Sequence, residues 1–370
     1  MPTLHQFTGT LDGGATGAHL IEIQRTMRAA GWESEVFCQA TKPPYEGGGH
    51  HFTEYGKSVA AHPDDVVFYH TAIGSIVADW LIAQRLRRLI PYYHNITPPA
   101  WFEGWEPNLT YGLGWGRAQL RQLARRTRFG LAVSAFNARE LHDAGVRRTA
   151  VLPILLTPES IGGEPDARLV DRVLATGGTR WVFVGRIAPN KGHHHLITAL
   201  AAYRHLYDPE ATLTLVGGTS SPNYEAALHR LVADLELTDA VIFTGQISDG
   251  ERNAYYATAD VFVCLSAHEG FLVPLLEAWR HRVPIVAFDA AAVPETLGDA
   301  GLLVSSTSCL PVAAAVARVC SDPMVADALR DAGTRRLDLF APERTRARLM
   351  ALAEGLAAGD ADAVGLPWGR

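Results

Sequence analysis

A chain of 370 residues, 48% apolar and with a formal net charge of −6, is long enough to bury two hydrophobic cores and too acidic to hold nucleic acid by bulk electrostatics. No stretch approaches eighteen consecutive apolar residues, the amino terminus MPTLHQFTGT has neither the basic start nor the apolar block of a secretion signal, and the four cysteines show no C-x-x-C spacing. The expectation is a cytoplasmic protein with buried, reduced thiols and a small-molecule partner; peripheral membrane contact is left open but not favoured.

In chain order, residues 3–8 predict a first strand, followed by the loop GTLDGGATG and a helix from about Ala18 to Ala30. Leu20, Ile23 and Met27 share one face of that helix and Gly31 ends it. Strand candidates at 34–38, 66–70, 90–94 and 130–134 each lead into a loop or helix, and 150–155 closes the set. Such alternation predicts an α/β domain with a parallel, doubly wound sheet, whose ligands gather beyond the carboxyl ends of the strands. On that rule Gly13, Gly14, His70 and His94 fall on one rim. Gly13 and Gly14 could cradle a phosphate or let a sugar approach the backbone, and a plain turn would use the same glycines. The sequence there, GGATGAH, is not G-x-G-x-x-G, which disfavours nicotinamide.

Residues 97–116 carry Trp101, Phe102, Trp105, Tyr111 and Trp115 among prolines and glycines and are expected to form a loop. A helix carrying Arg117, Arg121, Arg125 and Arg128 follows. An aromatic lid over an acceptor, a basic helix on anionic lipid and a solvated helix face all fit this stretch. The histidine runs at 50–51 and 193–195 point in different directions on regular structure and predict no metal site. Residues 156–179, rich in Pro, Gly and acidic side chains, are read as a linker between domains at 1–155 and 180–341. The second domain repeats the alternation, with strands from Arg180 and at 212–216, 241–244, 261–265, 285–288 and 302–304. Gly217, Gly245 and Gln246 stand at strand carboxyl ends. A final helix is expected at 342–358, and residues beyond Gly359 are expected to fray.

The densest pattern lies at residues 259–289, where strand, tight loop, short helix and strand carry Glu269 and Glu277 with seven residues between them. Gly270 allows a sharp turn and Pro274 suits a first helical turn, so the amides of Phe271, Leu272 and Val273 would face an anion at the helix start. Each glutamate is then best explained as an acceptor for sugar or ribose hydroxyls. This stretch resembles the Glu-x7-Glu signature of retaining glycosyltransferases of family 4, which have the B-type fold of two Rossmann-like domains facing across a cleft. FVGRIAPNKG at 183–192 resembles that family's diphosphate-binding Gly-Arg…Lys-Gly segment, and VPETLGDAGLLV at 293–304 resembles the segment after the signature helix.

The resemblance implies a retaining hexosyltransferase that moves a sugar from a nucleotide diphosphate sugar, its co-substrate, to a hydroxyl of a small molecule or glycan, without a separate cofactor. Arg186 and Lys191 would neutralise the departing diphosphate, Glu277 would hold the ribose, and Glu269 would hold the sugar near its reacting face. His94 would lie near sugar and acceptor. Gly13, Gly14, Gly217, Gly245 and Gln246, with Gly270 to Val273, would line the donor, and the last helix would cross back to the first domain. The leaving phosphate would take the acceptor proton. No metal is expected, because the one Asp-x-Asp, Asp360 to Asp362, sits in the tail. Departures from the family pattern at Leu272, Trp279, Arg280, His281 and Arg282 predict an unusual helix face and sugar pocket. The rival readings are a pseudo-glycosyltransferase or sugar epimerase of the same fold, and a non-catalytic nucleotide-sugar-binding subunit.

Overall fold

Strands buried on both faces read as near-continuous apolar runs, and VVFYHT at Val66–Thr71 is buried at every position, His70 and Thr71 at its carboxyl end included. The computed structural model describes residues 1–157 and 161–359. The chain separates into unit 1, comprising Met1–Ala100, Pro107–Thr157 and the chain from Phe340 on, and unit 2, comprising Trp101–Glu106 and Pro158–Leu339.

In unit 1 the chain runs β1 (Leu4–Leu11), α1 (Ala15–Ala29), β2 (Val36–Thr41), β3 (His50–His51), β4 (Val66–Thr71), α2 (Ile76–Ala83), β5 (Arg88–Tyr93), α3 (Pro107–Ala124), β6 (Phe129–Ala132), α4 (Ala135–Asp143) and β7 (Arg148–Val151). The strands form one sheet in the order β3-β2-β1-β4-β5-β6-β7, every pairing parallel. The strand order reverses between β1 and β4, the place where doubly wound sheets bind ligands. Phe7 stacks on Phe37 at 4.8 Å in the core, with Val67, Tyr69 and Leu81 around them.

Two expectations for this unit change. Helix α1 begins at Ala15, not Ala18, because the loop folds over its first turn: a side chain at Gly17 would stand 1.8 Å from the Asp12 carbonyl oxygen. Residues 107–116 are helix, not loop. Their glycines are contact glycines: Gly74 donates its amide to the Gly112 carbonyl, and a Cβ on Gly116 would lie 2.5 Å from the Gly74 nitrogen. Glycine normally weakens a helix, yet here it lets α3 touch the β4–α2 loop backbone to backbone.

Unit 2 runs α5 (Ala167–Leu174), β8 (Arg180–Val184), α6 (His193–Leu206), β9 (Thr212–Val216), α7 (Pro222–Asp234), β10 (Val241–Gly245), α8 (Asp249–Thr258), β11 (Val261–Cys264), α9 (Pro274–Arg280), β12 (Ile285–Phe288), α10 (Val293–Leu297), β13 (Leu302–Val304), α11 (Cys309–Ser321) and α12 (Pro323–Leu337). Its parallel sheet has the order β10-β9-β8-β11-β12-β13, the same doubly wound plan. The expected linker at 156–179 is in part this unit's first helix: the Asp166 carboxylate caps α5 by accepting the Leu169 amide at 2.9 Å, and α5 packs on α8. Helix α13 (Pro342–Ala358) packs on α1 and β4 in unit 1, where Arg348 donates to the Val151 carbonyl.

The unusual residues after Glu277 are explained mostly by packing. Trp279 is buried, its indole N–H donating to the Ala300 carbonyl, and it lies over Gly333 of α12, where a side chain would meet it at 2.4 Å. Arg282 pairs with Asp331 at the surface. All four cysteines are free, with Cys38 and Cys264 buried and Cys309 and Cys320 only partly so. No single described helix is long and apolar enough to cross a membrane. Asp360 and Asp362, with the tail expected to fray, lie outside the described residues.

Candidate active site

The carboxyl edge of the unit 2 sheet collects most of the residues singled out in the sequence. Strand β8 leads into Gly185, whose amide donates to the Val216 carbonyl, and Arg186 follows it into solvent. A Cβ on Gly217 would stand 2.4 Å from the Gly185 carbonyl oxygen, so the turns after β8 and β9 touch there because Gly217 lacks a side chain. Gly217 also donates its amide to the Gly245 carbonyl, and Gln246 beside it is exposed.

Lys191 ends a short 3-10 turn, Pro189–Lys191, and Gly192 takes φ +70° against the Leu265 carbonyl. That turn aims the ammonium at Glu269: Lys191 Nζ lies 2.6 Å from Oε1 and 2.8 Å from Oε2. Glu269 is 6% exposed, so this is a desolvated ion pair and not a surface bridge. Arg186 stays outside it. The structure therefore joins one of the two expected phosphate cations to one of the two expected carboxylates, a pairing that spacing does not reveal.

Glu277 sits in the first turn of α9, as Pro274 at N1 predicts, and is buried. Tyr256 donates its hydroxyl to Oε2 at 2.8 Å and Arg252 Nε stands 3.3 Å from Oε1. Burial pushes this carboxyl above its usual range, while Arg252 and the Tyr256 hydroxyl pull it back. An ionised carboxylate has about four acceptor positions, so hydroxyls can join these two partners. Between the glutamates, Leu272 adopts φ +69°, a region that side chains rarely occupy and that fits the small residue the family pattern carries there. Leu275 and Leu276 donate to the carbonyls of Leu272 and Val273, which starts α9 from this loop.

The aromatic stretch divides between the units. In unit 2, Trp105 packs edge-on to Tyr224 at 5.3 Å, its carbonyl accepts from Asn223, and Glu106 accepts from the Ser221 hydroxyl. In unit 1, Tyr111 and Trp115 ride on α3, with Tyr111 exposed, while Arg117 is tied to the Ile96 carbonyl and to Glu140 at 3.0 Å and so leaves any basic face.

On unit 1, Gly13 and Gly14 are exposed after β1, and Gly14, at the N-cap position of α1, donates its amide to the Asp12 carboxylate. His94 follows β5 and meets two other imidazoles, His70 of β4 and His19 of α1. His70 Nδ1 lies 2.8 Å from His94 Nε2, His70 Nε2 lies 3.0 Å from Gln6 Oε1, and His19 Nδ1 accepts the Leu155 amide at 2.8 Å. Burial lowers the pKa of all three, that of His94 to about 3. Gln6 and His19 carry no signal in the sequence, since the partners that define them come from other elements. Among the described residues these three histidines alone gather three metal-capable nitrogens, all within 4.8 Å of one another. The run at 193–195 does not: His193 is buried edge-on to Phe183 and His194 bonds the Tyr224 hydroxyl.

Residues 178–322 match the family model described as Glycosyl transferases group 1. A GDP-mannose-dependent alpha-(1-6)-phosphatidylinositol monomannoside mannosyltransferase of Mycolicibacterium smegmatis is 29% identical over 340 residues, covering 82% of this chain and 87% of that protein. An MMP alpha-(1->4)-mannosyltransferase of Mycolicibacterium hassiacum is 32% identical over 170 residues, 45% of this chain and 40% of that one. Among solved structures, sucrose-phosphate synthase from Thermosynechococcus elongatus superposes with a TM-score of 0.76 at 20% identity over 97% of this chain and 100% of that chain. Anabaena HepE in complex with UDP-glucose superposes with a TM-score of 0.71 at 19% identity and the same coverage, a likeness of fold.

Proposed function

Because residues 178–322 match the group 1 glycosyltransferase model and a mannosyltransferase relative spans most of the chain, we propose that it moves sugar from a nucleotide diphosphate sugar to an acceptor hydroxyl, as a retaining hexosyltransferase using GDP-mannose and a mannose-bearing acceptor. The observation that carries the site assignment is the buried Lys191–Glu269 pair at the carboxyl edge of the unit 2 sheet, in one unit with Arg186 and Glu277. The choice of sugar and acceptor rests on the names of the mannosyltransferase relatives.

In this reading the donor's C1–O bond to the diphosphate breaks and C1 bonds the acceptor oxygen on the same face, while the acceptor proton passes to the leaving phosphate. Negative charge builds on the diphosphate. Arg186, already in solvent at the end of β8, and Lys191, turning part of its charge away from Glu269, stabilise it as it forms. Glu269 then has acceptor capacity for the sugar hydroxyls, and Glu277 for the ribose. The two cations supply the positive charge that a divalent metal brings in other phosphate sites.

A thermal-shift screen of GDP, UDP, ADP and dTDP with their common sugars, followed by product NMR, tests this. Stabilisation by GDP-mannose and an anomeric coupling that shows retention are expected. An inverted product would remove retention, and selective stabilisation by another base would remove the donor.

A further inference from the structure

Three imidazoles meet at the carboxyl edge of the unit 1 sheet, and their partners fix which nitrogen of each carries the proton. The Gln6 amide donates Nε2–H to the Leu20 carbonyl at 3.0 Å, so its Oε1 accepts, and the His70 nitrogen facing it, Nε2, is the protonated one. A neutral His70 then has a lone pair on Nδ1, which accepts from His94 Nε2–H at 2.8 Å. That leaves a lone pair on His94 Nδ1. His19 is set separately: its Nδ1 accepts the Leu155 amide, so its proton is on Nε2. Both left-over atoms, His94 Nδ1 and His19 Nε2–H, are buried without a partner, and their rings lie 5.6 Å apart between centroids. Burial holds the three rings neutral.

The same logic sets aside the metal that three clustered nitrogens suggest. A ligating histidine binds through one nitrogen's lone pair and donates N–H from the other. His19 accepts a backbone amide at Nδ1, so its Nε2 would have to lose its only proton to bind an ion. One donor beside one acceptor, both desolvated and uncharged, instead matches a hydroxyl, which donates and accepts at once. A carboxylate or a fully ionised phosphate offers His94 no proton, and an ammonium offers His19 no lone pair.

We propose that Gln6 and His70 are positioning residues that hold His94 in its Nε2–H tautomer, so that His94 Nδ1 and His19 Nε2–H together take one uncharged hydroxyl of a sugar or polyol substrate. The inference rests on the transferase reading only for the molecule that carries the hydroxyl, because the tautomers exist without turnover.

The test is two-bond and three-bond ¹⁵N–¹H NMR of the full chain labelled at histidine. All three rings are expected as Nε2–H tautomers at neutral pH, and methyl α-D-mannoside is expected to shift His94 Nδ1 and His19 Nε2. Gln6→Met keeps the side-chain length and removes the acceptor. In that variant His94 is expected to gain an Nδ1–H population, and transfer from GDP-mannose to methyl α-D-mannoside to fall at least tenfold at unchanged GDP affinity. A proton on His94 Nδ1 in the parent protein overturns the proposal, whether or not the variant folds. So does an unaltered His94 tautomer in Gln6→Met, the absence of any shift with the mannoside at concentrations that support turnover, or one equivalent of Zn²⁺ that stays bound through dialysis and is lost in His19→Leu. The expected tautomers and shifts without GDP-mannose turnover would retire the donor assignment and support the relay.

Discussion

Acidification from pH 7 to 5 should destabilise unit 1 far more than an ordinary surface titration would. His19, His70 and His94 have pKa values depressed by burial, His94 to about 3 from the ordinary histidine value of 6.5. Between those values the unfolded chain binds protons that the folded chain refuses, so stability rises with pH there and is lost as pH falls below 6.5. Each such histidine contributes about 1.4 kcal/mol per pH unit, which for His94 integrates to about 2 kcal/mol between pH 7 and 5. His19 and His70, whose pKa values burial also holds well below the ordinary range, add to that loss in the same direction. Urea titrations at several pH values, read by hydrogen–deuterium exchange mass spectrometry in the β4 and β5 peptides, report on unit 1 alone. His94→Asn should lose about 2 kcal/mol less than the parent over the same pH interval, since one refusing group is gone. A stability that is level from pH 7 to 5, or an equal pH slope in parent and variant, would refute the burial argument.

Arg186→Ala should lower turnover at least about a hundredfold, or about 3 kcal/mol, with an unchanged melting temperature because the side chain is exposed. Lys191→Ala should lose as much activity and also melt earlier, because Glu269 is then left buried without its cation; near-normal rates in either variant would refute the phosphate assignment. Glu277→Gln should weaken GDP binding in isothermal titration, whereas Glu269→Gln should mainly lower the rate, and an equal loss of affinity in both would refute that division. Excess EDTA should leave the initial rate nearly unchanged, and activity restored only by Mg²⁺ or Mn²⁺ would contradict a site built on Arg186 and Lys191.

Most of the fold is legible because strands covered on both faces must be apolar throughout. Val261–Cys264 and Ile285–Phe288 announce themselves that way, and Pro274 marks the start of α9. What stays hidden is structure whose reason lies elsewhere in the chain. The glycines of α3 read as loop residues because the backbone they touch, at Gly74, is far away in sequence, and α5 hides among residues that also make linkers. At the site, the spacing of Arg186 and Lys191 suggests two equivalent cations. The turn ending at Gly192 separates them, giving Lys191 to a carboxylate 78 residues on. His70 and His94 stand out at strand ends, whereas His19 and Gln6 acquire meaning only from their partners.

The packing of α13 on α1 and β4 also sets an order of events during synthesis. Unit 2 is complete once Leu339 has left the ribosome, but the sheet that begins at Leu4 waits for a helix ending at Ala358. Domains usually finish in the order in which they are translated. Here the amino-terminal unit finishes last, holding an uncovered α1 surface while some two hundred further residues are made. A ribosome stalled shortly after Thr157 would therefore present a nascent chain with an exposed apolar face, the kind of surface that holding chaperones bind, and release from them would coincide with the arrival of Leu349 and Leu352.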